Sequence, residues 1–263
     1  GGPYQVQMSN GAAYYVREGG GQGKNLCSMV LATGYGEAAE EGAEHAARAL
    51  GTELKVKVRF RQDDQDFVAP ITQLRNAACD AVLFASLPSV TGKVLGAAAQ
   101  LSFAPRWIAT SPSWHGALAA SPLADYLARH FWIVAEGAEW GDTTVAGVRE
   151  LLATQQRYRP DQKPDFYYTF GYVQAKTIHA LLEKAVSDGD LSRAGLLRAV
   201  AGLGSVPLGG LFGEYTYGPV EQREPPRASS IFAANAASHF GMALVRSGVL
   251  SDVSQGYAFV KKR

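Results

Sequence analysis

Between Leu26 and Val134 the chain alternates short apolar runs of strand length with helix-like segments, joined by only a few residues each time. The apolar runs are 26–32, 54–60, 80–86, 106–110 and 131–134, and the helical segments are 37–50, 67–78, 89–102 and 119–129. A β-α-β-α-β-α-β-α-β order with short joints predicts an α/β fold built on a doubly wound parallel sheet. Right-handed crossovers then put the loops 33–36, 61–66, 86–89 and 110–115 on one edge of that sheet. In open α/β sheets that edge, beyond the carboxyl ends of the strands, is where ligands bind.

The first unit shows what this edge could hold. Leu26 to Ala32 is almost uninterrupted in apolar character, as strands buried on both faces are. Thr33-Gly34-Tyr35-Gly36 reads as a turn, and from Glu37 a helix follows with Glu37, Glu40, Glu41 and Glu44 near its positive end. Gly34 to Ala39 fits the G-x-G-x-x-A dinucleotide fingerprint, with Asp63 and Asp64 placed to serve as the ribose acid. Glu37 stands where a pyrophosphate would approach, and an anion needs that helix end open. An NAD(P)-dependent Rossmann-type oxidoreductase is therefore the runner-up. The preferred reading is that Tyr35, beside Gly36, meets a solute with its ring and hydroxyl, against a plain surface turn as the alternative.

The next two loops supply small hydroxyls beside bulky groups: Ser86 and Leu87 in one, Ser111 and Trp114 in the other. A mostly apolar site with a few placed polar groups suits a small organic solute. The 110–115 loop carries no acid, and Trp114 points to a flat or aromatic ligand or else to packing against the next helix.

Outside this series the pattern changes. Residues 1–24 read as an extended piece at Tyr4 to Met8, a short helix near Ala12 to Arg17, and a glycine-rich linker. That linker, GGGQGK, imitates a P-loop, but Glu18 holds the first glycine position, Asn25 replaces Ser/Thr, and a strand follows it instead of preceding it. Asp66 is placed to cap the helix at 67–78. After a loop at 136–144, helices are expected at 145–158, 165–186 and 192–203, with a break at Pro160 to Pro164. Aromatic residues crowd the start of the second of these, Phe166 to Tyr172. Beyond Gly209-Gly210 come hairpin-like β pieces, through Ile231 to Ala234 and the tail at Tyr257 to Val260. These helices do not fit the first sheet's alternation. The expected division is a ligand-binding lobe from 24–135 with 207–263, and a mostly helical remainder of another lobe from 1–23 and 140–206.

Composition excludes several function classes. A net charge of +1 over 263 residues gives no case for nucleic acid, and no apolar run approaches the length of a membrane span. Cys27 and Cys79 leave two possibilities open, a disulfide if their strands are neighbours or two buried thiols. His45, His115, His130, His179 and His239 have no metal-ligand spacing, and there is no G-x-S-x-G elbow. Asp63 to Asp66 reads as a solvated turn with a helix cap, with calcium binding as the weaker alternative. No enzyme activity, cofactor or metal is expected.

Four stretches resemble the type I periplasmic solute-binding proteins, and within them the branched-chain-amino-acid receptors of ABC transporters. They are MVLATGYGEAAEEG, QDFVAPITQLRNAACDAVLFAS, PRWIATSPSW and RYRPDQKPDFYYTFGYVQAKTIHALLEKA, and the resemblance covers roughly 24–240. It implies a two-lobed fold that captures a solute in an interlobe cleft, with segments near 134–141 and 204–214 as crossings. It also implies a monomer, exported to the periplasm or held on the cell surface as a lipoprotein with its signal removed, that presents the solute to a membrane ABC permease. Tyr35, and Tyr172 on the 165–186 helix, are where it implies ligand contacts. Such proteins begin with a further half-lobe of about four βα units, which normally holds the ligand carboxylate and which this chain lacks, so the chain is a fragment or has diverged. A ligand-sensing domain is a further alternative, since the same fold serves that role.

Overall fold

The computed structural model describes residues 2–259. In chain order the elements are α1 (Tyr4–Arg17), β1 (Leu26–Leu31), α2 (Gly34–Ala49), β2 (Leu54–Phe60), α3 (Val68–Asn76), β3 (Ala81–Ala85), α4 (Pro88–Gln100), β4 (Arg106–Thr110), α5 (Ala124–His130) and β5 (Phe131–Ala135). They continue with α6 (Ala146–Tyr158), α7 (Phe166–Ser187), α8 (Arg193–Ala201), β6 (Ser229–Ala234), β7 (Met242–Val249) and α9 (Asp252–Gln255). The chain divides into two compact units, one of residues 3–136 with 227–258 and the other centred on 137–226.

The larger unit is built on a seven-stranded sheet in the order β2-β1-β3-β4-β5-β6-β7. The pairings from β2 across to β5 are parallel, and β5, β6 and β7 pair antiparallel. The sequence explains the placing. β1 and β3 are buried at every position and sit inside, whereas β2 alternates Leu54, Val56, Val58 and Phe60 with exposed Lys55, Lys57 and Arg59 and lies at an edge. From β1 the chain winds one way to β2 and then crosses back to β3. The β1/β3 boundary is thus a topological switch point, and the loops beyond it open a crevice.

Several expectations are corrected here. Tyr4 to Met8 is not extended; it opens the helix α1. The helix lies in the core, where Val6, Met8, Ala12 and Ala13 are buried along with Gln7, Ser9 and Asn10. Burial on so many sides erases the polar face that marks an amphipathic helix. The helix expected from Glu37 begins three residues earlier, at Gly34, because Thr33 caps it. The helix expected at 119–129 is shortened to α5 by a 3-10 turn over Gly116–Ala120. The tail carries no strand at 257–259, and Val260 lies outside the described residues. The strand β7, which pairs with β6, takes the place of that tail strand. The units also differ in extent from the expected lobes. The helix α1 packs into the sheet unit, while 207–226 stays with the helical unit through Leu208, Leu211 and Phe212.

Cys27 and Cys79 form a disulfide, with Cα atoms 5.9 Å apart, at the amino-terminal ends of the adjacent strands β1 and β3. The helical unit contains α6, α7 and α8 around a core of Val148, Leu151, Val206, Leu208, Leu211 and Phe212, against which Tyr168, Phe170 and Tyr172 pack. Asp165 and Ser192 cap α7 and α8, each accepting a hydrogen bond from the backbone N–H three residues on.

Candidate functional site

The carboxyl ends of β1, β3, β4 and β5 converge on a cluster of polar side chains inside the larger unit. Tyr35 lies in the first turn of α2, which Thr33 starts by accepting a hydrogen bond from the Gly36 amide. Gly36 is required there, since a Cβ would stand 1.8 Å from the Leu31 carbonyl oxygen. The close approach aims the half-buried Tyr35 ring across the switch point. Its hydroxyl donates to the Ser86 carbonyl (3.2 Å) and lies 2.5 Å from Thr110 Oγ1 and 3.5 Å from Ser113 Oγ. Ser113 Oγ in turn accepts from the Ser86 amide at 3.0 Å. The loops after β1, β3 and β4 are thereby tied together by one phenol.

A second group adjoins it. Gln7 of α1 accepts from the Ser111 amide at 2.9 Å and donates to Ser111 Oγ (3.3 Å) and to Glu136 Oε1 (2.9 Å). Glu136, directly after β5, is a 5% exposed carboxylate at the carboxyl edge. Tyr4 packs edge-on against Tyr35 with ring centroids 4.6 Å apart. Burial pushes the Tyr4 phenol up from its ordinary value, and the charge of Glu136 adds to the effect.

The residues singled out in the sequence therefore fare differently. Tyr35, Gly36, Ser86, Leu87 and Ser111 come together on this edge. Ser86 and Ser111 are buried with their polar groups engaged, so they shape the loops beneath the surface, while Leu87 is half-buried. Trp114 does not reach the surface. It is fully buried, donates from Nε1 to the Phe240 carbonyl at 2.9 Å, and packs on Phe131 at 5.8 Å. Of the alternatives for Trp114, packing is the one observed. Tyr172 belongs to the helical unit, where its hydroxyl donates to Glu150 Oε1 (3.1 Å) and lies 3.3 Å from Thr154 Oγ1. Burial raises its pKa.

Tyr4, Gln7 and Glu136 went unnoticed in the sequence. For Glu136 a signal existed, since it occupies the same place after β5 as Ser86 does after β3. Among the described residues no three His, Cys, Asp or Glu side chains converge for a metal, and no helix is long and apolar enough to cross a membrane.

Residues 1–238 match the periplasmic binding protein family. No curated protein sequence matches the chain. Among solved structures it is similar to the fatty acid ABC transporter substrate-binding protein from Thermomonospora curvata, with a TM-score of 0.85 at 22% identity over 97% of this chain and 64% of that one. It is also similar to a branched chain amino acid ABC transporter from Thermus thermophilus solved with bound valine, with a TM-score of 0.74 at 17% identity over 96% of this chain and 66% of the other. A possible leucine/isoleucine/valine-binding protein from Rhodopirellula baltica gives 0.73 at 21% identity, covering 92% and 64%. The chain thus spans a little under two thirds of the length of these proteins. The doubly wound sheet, its antiparallel β6 and β7, and the family match over residues 1–238 have one common explanation: the chain belongs to the periplasmic binding protein family, with the type I fold.

Proposed function

We propose that the chain is the solute-recognition part of an ABC importer's binding protein, holding a small organic solute against the carboxyl edge of its sheet without chemical change. The observation that carries this reading is the Tyr4–Tyr35 pair, two half-buried rings packed edge-on, beside a hydroxyl cluster in which Tyr35 meets Thr110 and Ser113 at the switch point. Aromatic rings beside a few fixed hydroxyls suit an apolar or aromatic body with one polar end, such as an amino acid-like or aromatic carboxylate compound. The fatty acid and valine named for the similar structures each join an apolar part to a carboxyl group. The Cys27–Cys79 disulfide supports an oxidising compartment, the periplasm or the outer cell surface. A membrane permease is the partner this role requires, and the chain acts as a monomer.

Calorimetric titration of valine, leucine, phenylacetate, octanoate and NAD tests the reading. Heat is expected from an apolar carboxylate, with affinity reduced at least tenfold, or about 1.4 kcal/mol, in Tyr35→Ala. Tyr35→Phe should keep most of that affinity, because the hydroxyl is engaged within the unit. Binding of NAD with no response to any carboxylate would replace this reading by the dinucleotide one.

A further inference from the structure

We infer that the opposite, amino-terminal edge of the sheet carries a second binding site, in which the Arg106 guanidinium stacked on Trp132 receives a planar carboxylate. Arg106 opens β4, the strand whose far end holds Thr110, and His130 immediately precedes the neighbouring β5. The Arg106 Cζ lies 4.5 Å from the centroid of the Trp132 ring. Tyr15, itself buried, packs edge-on to the same indole at 6.3 Å. The guanidinium is half-buried, and burial lowers its pKa from the ordinary value.

A desolvated charge is costly without a counter-ion. Among the described residues Arg106 has no ion pair and no side-chain hydrogen bond. Asp80, whose backbone carbonyl accepts from the Arg106 amide, is otherwise engaged, with its carboxylate accepting from the Asn25 amide at 2.9 Å and lying 3.6 Å from Lys24 Nζ. Arg129 and His130 add further positive or titratable character and no acid. The His130 imidazole is held below its ordinary pKa by burial first, then by Arg106 and Arg129; Tyr126, 5.1 Å from it, is the other titratable ring it faces.

Geometry selects the anion. With its Cζ over the indole and its N–H groups without a partner among the described residues, the guanidinium keeps a planar fork for an anion, which matches a bidentate carboxylate better than a tetrahedral oxyanion. The glycine-rich segment that imitates a P-loop forms a wall of this place. At Gly19 a Cβ would come within 2.7 Å of the Trp132 ring, so only glycine lets the loop lie flat against the indole.

The test is an NMR titration of the whole 263-residue chain at constant ionic strength, read at the Arg106 Nε–H and the Trp132 indole N–H. Benzoate is the probe, with inorganic phosphate and chloride as comparisons. Benzoate should give saturable shifts at both signals in the parent. At the Trp132 indole N–H, which both variants keep, binding should be at least tenfold weaker in Arg106→Lys, which keeps the charge but not the fork, and absent in Arg106→Gln. An unsaturable response, equal shifts from phosphate, or Arg106→Lys binding as well as the parent would each overturn the site. Because the readout sits on Arg106 and Trp132, at the opposite end of the strands, any of these leaves the proposal for the Tyr35 edge standing.

Discussion

Tyr35 holds its place through its hydroxyl, which binds the ends of β3 and β4, and its ring packs against Tyr4. That a tyrosine hydroxyl joins two other strand ends is a property of the tertiary structure. The sequence shows only that a tyrosine follows a buried strand. Trp114 gives the converse lesson. It stands among the same small hydroxyls, yet the Phe240 carbonyl draws its indole into the core, and nothing local in Thr110 to Trp114 marks that direction. Elsewhere the core contains a polar atom without a partner, Ser28 Oγ at the middle of β1. Removing a buried, unsatisfied hydroxyl costs little hydrogen bonding and relieves a desolvated group. Ser28→Ala should therefore be as stable as the parent or more so, by roughly 1 kcal/mol. Urea unfolding would show this as an unchanged or higher midpoint at constant slope, and a clear drop would show that Ser28 has a partner after all.

Among the elements, the parallel strands are the most legible in the sequence, because burial on both faces leaves an apolar run that no surface element shares. The helices α7 and α8 are legible through their caps, Asp165 and Ser192. The helix α1 is not, because Gln7 and Asn10 are polar and yet buried, satisfied by Ser111, Glu136, Ser229 and Ser251 from distant parts of the chain. The strand β7 hides for the opposite reason: it is an edge strand, exposed over much of its length, with Gly248 near its end. The contact of β4 with α5 yields a pH dependence. Tyr126 donates to the Phe103 carbonyl at 2.7 Å and accepts from Trp107 Nε1 at 2.8 Å, and burial pushes its pKa from 10.0 to about 12. A phenol whose pKa is raised by folding contributes stability that is complete below pH 10 and lost as pH rises towards 12. Denaturant unfolding should thus lose up to about 3 kcal/mol across that window. Tyr126→Phe should flatten the dependence, and an unaltered slope in that variant would assign the loss to other groups.

At the scale of the whole molecule, the disulfide closes a loop of 52 residues that runs from β1 through α2, β2 and α3, and so restrains the unfolded chain more than the folded one. The loop length corresponds to about 4 kcal/mol in the chain-entropy account. Replacing both cysteines by serine should lower unfolding stability by that order, measured by urea titration without reductant. A change below about 1 kcal/mol would place the bridge's effect in the native state instead. One further consequence follows from the pairing of β5 with β6. Ala135 lies opposite Ser230 on neighbouring antiparallel strands, so the chain leaves the sheet and re-enters it at adjacent points. Residues 137–226 are, in that sense, an insert in the crown of a hairpin. A polypeptide in which a short Asn-Gly turn joins Glu136 to Arg227 should fold as an autonomous seven-stranded domain, with the Tyr35–Thr110 contact intact and one cooperative thermal transition.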